Sequence, residues 1–226
     1  MIRKVYIVAE TQRGLLTKDG RLIRVLKQGR HVIWDFLNRY RVEIVSARGL
    51  FASERGEVIE KLHPDIASEC LEIVRPAEGK VEIVSVDGRA AYIVRPGQTA
   101  YVWKVLNDVS VTSYDVNAEP RLTKADLVAI EKAQVTTTTG LPAIAVVTVG
   151  AAQAALVFFD GELVETVAPG RYGYWQIGRV VTSKTLDTRP LPLEVTAQEI
   201  LTKDRISLRV TLTAFTRVVD LSLIHI

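Results

Sequence analysis

The side chains best suited to metal binding or nucleophilic chemistry are His31, His63, His225 and the single cysteine, Cys70. Metal ligands recur at short fixed spacings, and none of these four has such a neighbour. No serine lies in a G-x-S-x-G context, and no nucleophile, base and orienting group share a recognisable spacing. The reading is therefore a non-enzyme with no cofactor and no metal, in which Cys70 is a small core residue. Gly14, Gly20, Gly29, Gly161 and Gly170 precede strand-like runs and not helices, so they read as turn glycines and not as a phosphate cradle. One pattern could form a ligand surface: Arg30 with Trp34, and Arg171 with Trp175, could stack a guanidinium on an indole. The plainer reading is that these side chains cover the apolar face of a hairpin.

These residues must be positioned by a chain of 226 residues, 48% hydrophobic and 24% charged, with a net charge of +3. That composition belongs to a folded globular protein and excludes long disorder. Basic residues are interleaved with acids and form no concentrated stripe, so nucleic acid is not an expected partner. The first residues lack the apolar run of a signal peptide, and one cysteine fits a reducing compartment. A cytoplasmic location is the expectation.

The organising feature is an internal repeat. Residues 4–36 align without a gap to residues 145–177, with identities at Val5/Val146, Val8/Val149, Gln12/Gln153, Leu15/Leu156, Asp19/Asp160, Gly20/Gly161, Leu22/Leu163, Gly29/Gly170, Arg30/Arg171 and Trp34/Trp175. A weaker copy lies between them at 82–103, with Asp87-Gly88, Gly97 and a tryptophan, Trp103, that comes one residue late. Asp-Gly between apolar runs predicts a two-residue hairpin turn with positive φ at both positions. The later glycine predicts a second turn into the tryptophan strand.

Two helical segments are predicted between the copies. One covers 58–71. The other covers 122–132, with Thr123 as N-cap and Asp126 three residues on. Residues 133–159 carry no charge and are long enough to span a bilayer. The repeat makes this stretch a strand instead, because the first copy places Glu10 and Arg13 at equivalent positions. Near the end, Ile206, Leu208, Val210, Leu212 and Ala214 alternate with Ser207, Arg209, Thr211, Thr213 and Phe215, a period of two that predicts a long strand after a turn at 202–204. The fold class is mainly β with a few short helices (α+β). Three hairpin modules are expected at 1–77, 78–143 and 144–180, then a final segment at 181–220.

Asp187-Thr188-Arg189, Gln198-Glu199-Ile200, Thr202-Lys203-Asp204 and Phe215-Thr216-Arg217-Val218-Val219-Asp220 resemble the opening of an SPFH (band-7, prohibitin-homology) domain, nearest to the bacterial slipins, relatives of stomatin. The resemblance is specific over about 35 residues and extends loosely over the repeats. It implies the first strands of an SPFH domain and a membrane-associated scaffold that forms homo-oligomers in its full-length form. It also implies a peripheral position at the inner membrane, contact with the membrane surface, and a membrane protease as a partner. The chain departs from the family pattern in lacking an N-terminal hydrophobic hairpin and in stopping before the helical half of the domain. Residues 221–226 do not continue the pattern and read as a non-native tail.

Overall fold

The computed structural model describes residues 2–138 and 140–217, and the chain divides into two compact units, Met1–Ala143 and Ile144–Ile226. Strands take 55% of the residues and helices 12%, so the chain is mainly β.

The first unit opens with β1 (Ile2–Val8), β2 (Gln12–Lys18), β3 (Arg21–Leu26), β4 (Gly29–Asp35) and β5 (Tyr40–Ser46). β1 pairs antiparallel with β4, while β2 pairs antiparallel with both β3 and β5. A linker follows with β6 (Leu50–Phe51), α1 (Ser53–Leu62) and α2 (Pro64–Cys70). Then come β7 (Leu71–Val74), β8 (Lys80–Val86), β9 (Arg89–Val94), β10 (Ala100–Trp103) and β11 (Val109–Asp115). Their pairing repeats the first: β7 with β10, and β8 with β9 and β11. A second linker carries α3 (Lys124–Lys132) and β12 (Thr136–Thr137).

The second unit repeats the pattern with β13 (Ile144–Val149), β14 (Gln153–Phe159), β15 (Glu162–Val167), β16 (Gly170–Trp175) and β17 (Val181–Asp187). β13 pairs with β16, and β14 with β15 and β17. It also holds a two-stranded hairpin, β18 (Leu191–Leu201) with β19 (Ser207–Thr216).

Each module builds its core from four positions. Three of them are shared by all modules, Leu16/Val84/Val157, Leu26/Val94/Val167 and Ile33/Val102/Tyr174, and the fourth comes from the first strand, as Val8 and Val149 in the outer modules and as Val74, two ladder positions earlier, in the second. The Asp-Gly turns adopt left-handed backbone at both residues: φ is 51° and 82° at Asp19-Gly20, 52° and 74° at Asp87-Gly88, and 50° and 92° at Asp160-Gly161. All three hairpins also carry a register shift just before that turn, at Leu16/Thr17, Val84/Ser85 and Val157/Phe158. A bulge strengthens local twist, which lets a short sheet curl over four core side chains.

Three boundaries differ from the sequence reading. β7 begins at Leu71, inside the stretch assigned to the first module, because the first strand of each copy precedes its Asp-Gly mark and pairs with the fourth. β17 runs to Asp187, past residue 180, because β14 needs a partner on its second edge. The helix-like run at 58–62 is the end of α1, which begins earlier, at Ser53, and the short helical turn at 63–71 is α2, which starts at Pro64 after a break at His63. The uncharged stretch 133–159 holds β12, β13 and β14, and no helix among the described residues is long and apolar enough to cross a membrane.

Candidate functional site

The turn aspartates act on backbone. The Asp19, Asp87 and Asp160 amides donate to the carbonyls of Arg39 (3.0 Å), Asp108 (2.8 Å) and Val180 (2.9 Å). Asp87 Oδ1 accepts the Asp108 amide at 2.9 Å, and Asp160 Oδ1 accepts the Val180 amide at 2.8 Å. Each carboxylate thereby staples its own hairpin to the entry of the fifth strand. Asp19 differs: the Arg39 guanidinium grips it, and that hydrogen bond holds its carboxyl below the usual range.

Other repeated residues have equally local roles. Gln12 Oε1 accepts the Ala9 amide, and Gln153 Oε1 accepts the Gly150 amide at 3.1 Å, closing the turn between the first two strands. His31 Nε2 lies 2.7 Å from the Lys27 carbonyl, and the Tyr172 hydroxyl at the equivalent place donates to the Ala168 carbonyl at 3.0 Å. His31 is thus a turn-closing donor. Gly29, Gly97 and Gly170 all carry positive φ (126°, 76° and 153°), as the second turn requires.

The tryptophans part company. Trp34 is 51% exposed, while Trp103 and Trp175 are each 1% exposed. Arg30 and Trp34 are four residues apart on one strand, about 13 Å at strand rise, so the first module does not stack one on the other. Trp103 instead meets Phe51 edge-on, with ring centroids 5.1 Å apart.

Two polar networks had no signal in the repeat. Asp35, 1% exposed, accepts Lys4 Nζ at 2.8 Å and the amides of Arg39 (2.9 Å) and Tyr40 (3.1 Å). Burial pushes its carboxyl up, but these donors outweigh burial and hold it at about 2. The third module has Gln176 at this position, so repeat identity could not mark it. The second network lies on α1, where Glu60 accepts the Tyr101 hydroxyl at 2.6 Å and the Arg75 guanidinium at 3.1 Å. Burial and the Glu60 hydrogen bond push Tyr101 up to about 12, and the Tyr101 and Arg75 donors lower Glu60. This network clamps a helix to a strand.

Cys70 is buried in the cluster with Leu15, Phe51, Ile59, Tyr101 and Trp103, and burial raises its thiol. His63 is the junction of α1 and α2. Among the described residues no group of three or more His, Cys, Asp or Glu side chains could hold a metal ion.

The SPFH-like residues fall at the two ends of the β18–β19 hairpin, about 30 Å apart for strands of this length. At the base, Arg189 forks onto Asp187 at 2.5 and 3.0 Å, and the Asp187 carboxyl is held at about 2 by that side chain and by the Arg189 amide. Thr188 donates its amide (2.9 Å) and hydroxyl (2.8 Å) to the Ala152 carbonyl. The amide contact has counterparts in Ala47 to Thr11 and Val116 to Gly79, so this part of the motif closes the module as the other two are closed. Arg217 follows β19 at the same end and is exposed. Toward the tip, Gln198 sits opposite Val210 and Glu199 opposite Arg209, with an ion pair of 3.5 Å. Thr202, Lys203 and Asp204 form the turn, where the Thr202 amide donates to the Ile206 carbonyl at 3.0 Å. Asp220, His225 and the tail at 221–226 lie outside the described residues.

On the ladder, Leu191, Leu193 and Val195 lie opposite Thr216, Ala214 and Leu212, which places them on one face. Leu191 and Leu193 are each 55% exposed, and Leu212 is 60% exposed. No protein family, no curated protein and no solved structure matches this chain.

Proposed function

We propose that the chain belongs to a membrane-associated oligomeric scaffold of the SPFH (stomatin/slipin) type, one that organises membrane domains or partner membrane proteins such as proteases and has no catalytic role of its own. The observation that carries this reading is the β18–β19 hairpin. It holds the SPFH-like residues and presents Leu191, Leu193, Val195 and Leu212 to solvent on one face. An apolar sheet face of this extent is unusual on a protein that works alone and marks a surface for association. The rest of the chain is three repeated cores joined by turns and linkers, which suits a spacer or platform. A peripheral position at the cytoplasmic side of an inner membrane accords with that role.

Co-sedimentation with bacterial inner-membrane vesicles, combined with light scattering, tests the proposal. Binding to the vesicles that salt reverses, together with concentration-dependent self-association, is the expected result. A monodisperse monomer that ignores membranes overturns it.

A second reading has one observation in its favour. β10 accepts β6 antiparallel on its outer edge, and β9 accepts β12 in parallel. The repeat's edges thus take an added strand, so a β-repeat module that recruits a protein or lipid partner by strand addition is the alternative.

A further inference from the structure

The three modules provide an internal comparison, and it singles out the outer face of the β1–β4 sheet. In the second module the corresponding face of β7–β10 carries Leu71 opposite Trp103 and Ile73 opposite Tyr101. It is covered by the linker and by the first module: Phe51 of β6, Ile59 of α1, and Ala67 and Cys70 of α2 share one buried cluster with Leu71, Tyr101 and Trp103, joined by Leu15 of β2 and by Ala47. In the first module the same positions are Arg3 opposite Trp34, Val5 opposite Val32 and Ile7 opposite Arg30. Here nothing among the described residues covers the face. Val5 is 40% exposed, Val32 41%, Trp34 51% and Ile7 72%. Phe36 and Leu37 extend the patch beyond the end of β4 and are about as exposed as Ile7.

We propose that this face docks an amphipathic helix of a partner protein, seated as α1 is seated on the second module. The chemistry of that helix follows from the seat already filled. Gly56 lets α1 lie against the Tyr101 ring, since a Cβ there would come within 2.3 Å of it. Ile59 enters the cluster, and Glu60 takes the cation Arg75 at the rim. The first module has the smaller Val32 where Tyr101 stands, and a rim cation, Arg30, opposite Ile7 where Arg75 faces Thr99. The matching helix therefore carries an apolar residue that fills the space over Val32, a second apolar residue three positions on and a carboxylate four positions on, with an aromatic to meet Trp34. Arg3 and Arg30 have no hydrogen-bond or ion-pair partner among the described residues and are exposed, so acidic flanks complement the rim. A membrane surface is the competing occupant for aromatic and basic residues. The precedent within the chain is a protein surface that includes a helix, and it favours a protein. This inference does not depend on the scaffold reading.

The test uses the whole chain and a synthetic peptide of residues 50–70 carrying C70S. The peptide is stapled by a lactam between Glu57 and Lys61, which already pair at 2.5 Å on the exposed side of α1. Trp103 and Trp175 are buried, so acrylamide-quenchable emission reports on Trp34. The expected result is a saturable blue shift with protection from acrylamide. It is absent in Ile7→Glu, absent in Trp34→Phe and weaker with an E60Q peptide. Ile7→Glu alters an exposed side chain, and an unchanged circular dichroism spectrum verifies its fold. No saturable protection up to about 1 mM peptide, an affinity of about 4 kcal/mol, overturns the proposal. Protection by anionic phospholipid vesicles without protection by the peptide also overturns it and assigns the face to a membrane.

Discussion

Lys4 and Asp35, thirty-one residues apart, meet at 2.8 Å beneath the first module, and the carboxylate is 1% exposed. The pair ties β1 to the end of β4, and the Arg39 and Tyr40 amides on the same carboxylate fix the turn into β5. A buried carboxylate with three donors is hard to replace, because removing it strands an ammonium and two amides. The Asp19–Arg39 pair, with both side chains nearly half exposed, contributes far less.

Asp35→Asn should therefore destabilise the first unit more than Asp19→Asn, and the difference should depend on pH. A carboxyl depressed from 3.8 to about 2 in the fold contributes stability that is fully present above its unfolded pKa and lost as pH falls through the folded value. The stability gap between wild type and Asp35→Asn should hold above about pH 4 and narrow toward pH 2. Urea unfolding at several pH values measures it, and a gap constant across that window would show the carboxylate is not held as described.

Gly56→Ala sets two effects against each other. Alanine favours an exposed helix interior by about 1 kcal/mol over glycine. Here the added methyl would meet the Tyr101 ring at 2.3 Å, and that ring is buried and anchored through Glu60. Overpacking of this kind costs about 1–3 kcal/mol, so net destabilisation is expected. A urea midpoint that rises would mean the ring yields.

The three Asp-Gly turns provide a matched set. Nothing lies within 4 Å of a Cβ built at Gly20, Gly88 or Gly161, and φ is positive at all three. Alanine at each should therefore lose only the conformational term, about 1–2 kcal/mol, and by similar amounts. Thermal unfolding of the three single variants checks this. A much larger loss at one turn would reveal a contact peculiar to that module.

How much of this was legible in the sequence varied with the kind of force involved. Turn chemistry is local, so Asp-Gly and the later glycines marked their places directly, and Thr123 marked the start of α3, where its side chain accepts the Asp126 amide. Pairing of the first strand with the fourth is not local. No residue type announces it, and the start of the second module was misplaced for that reason. The burial of the tryptophans was not legible either. Identity at Trp34 and Trp175 records a shared backbone position, whereas burial depends on what packs against that position from outside the repeat. Asp35 went unnoticed because its partner lies at the other end of the module.

Cys70 offers a probe of the linker. Its side chain is 6% exposed within the cluster that α1 and α2 form on β10, and burial raises its thiol above the ordinary range. A thiolate is the reactive form, so modification by a disulfide reagent should be slow in the native state and fast in urea. Rapid native-state labelling at neutral pH would show that α2 opens readily from the cluster.

The hairpin bears most directly on function. Leu193 and Leu212 lie on the face shared with Leu191 and Val195, and β18 and β19 pair only with each other among the described residues. A two-stranded hairpin with a solvent-exposed apolar face is marginal alone and is favoured by any second surface that buries it. If that face drives association, Leu193→Lys with Leu212→Lys should reduce the scattering mass of a concentrated solution toward the monomer value. The same pair of changes should leave the unfolding of the repeat modules nearly untouched, because exposed positions contribute little to a core they do not touch. Light scattering and urea unfolding of the double variant separate the two effects. An unchanged mass would place the associating surface elsewhere, and the exposed β1–β4 face would be the next to alter, through Ile7→Glu.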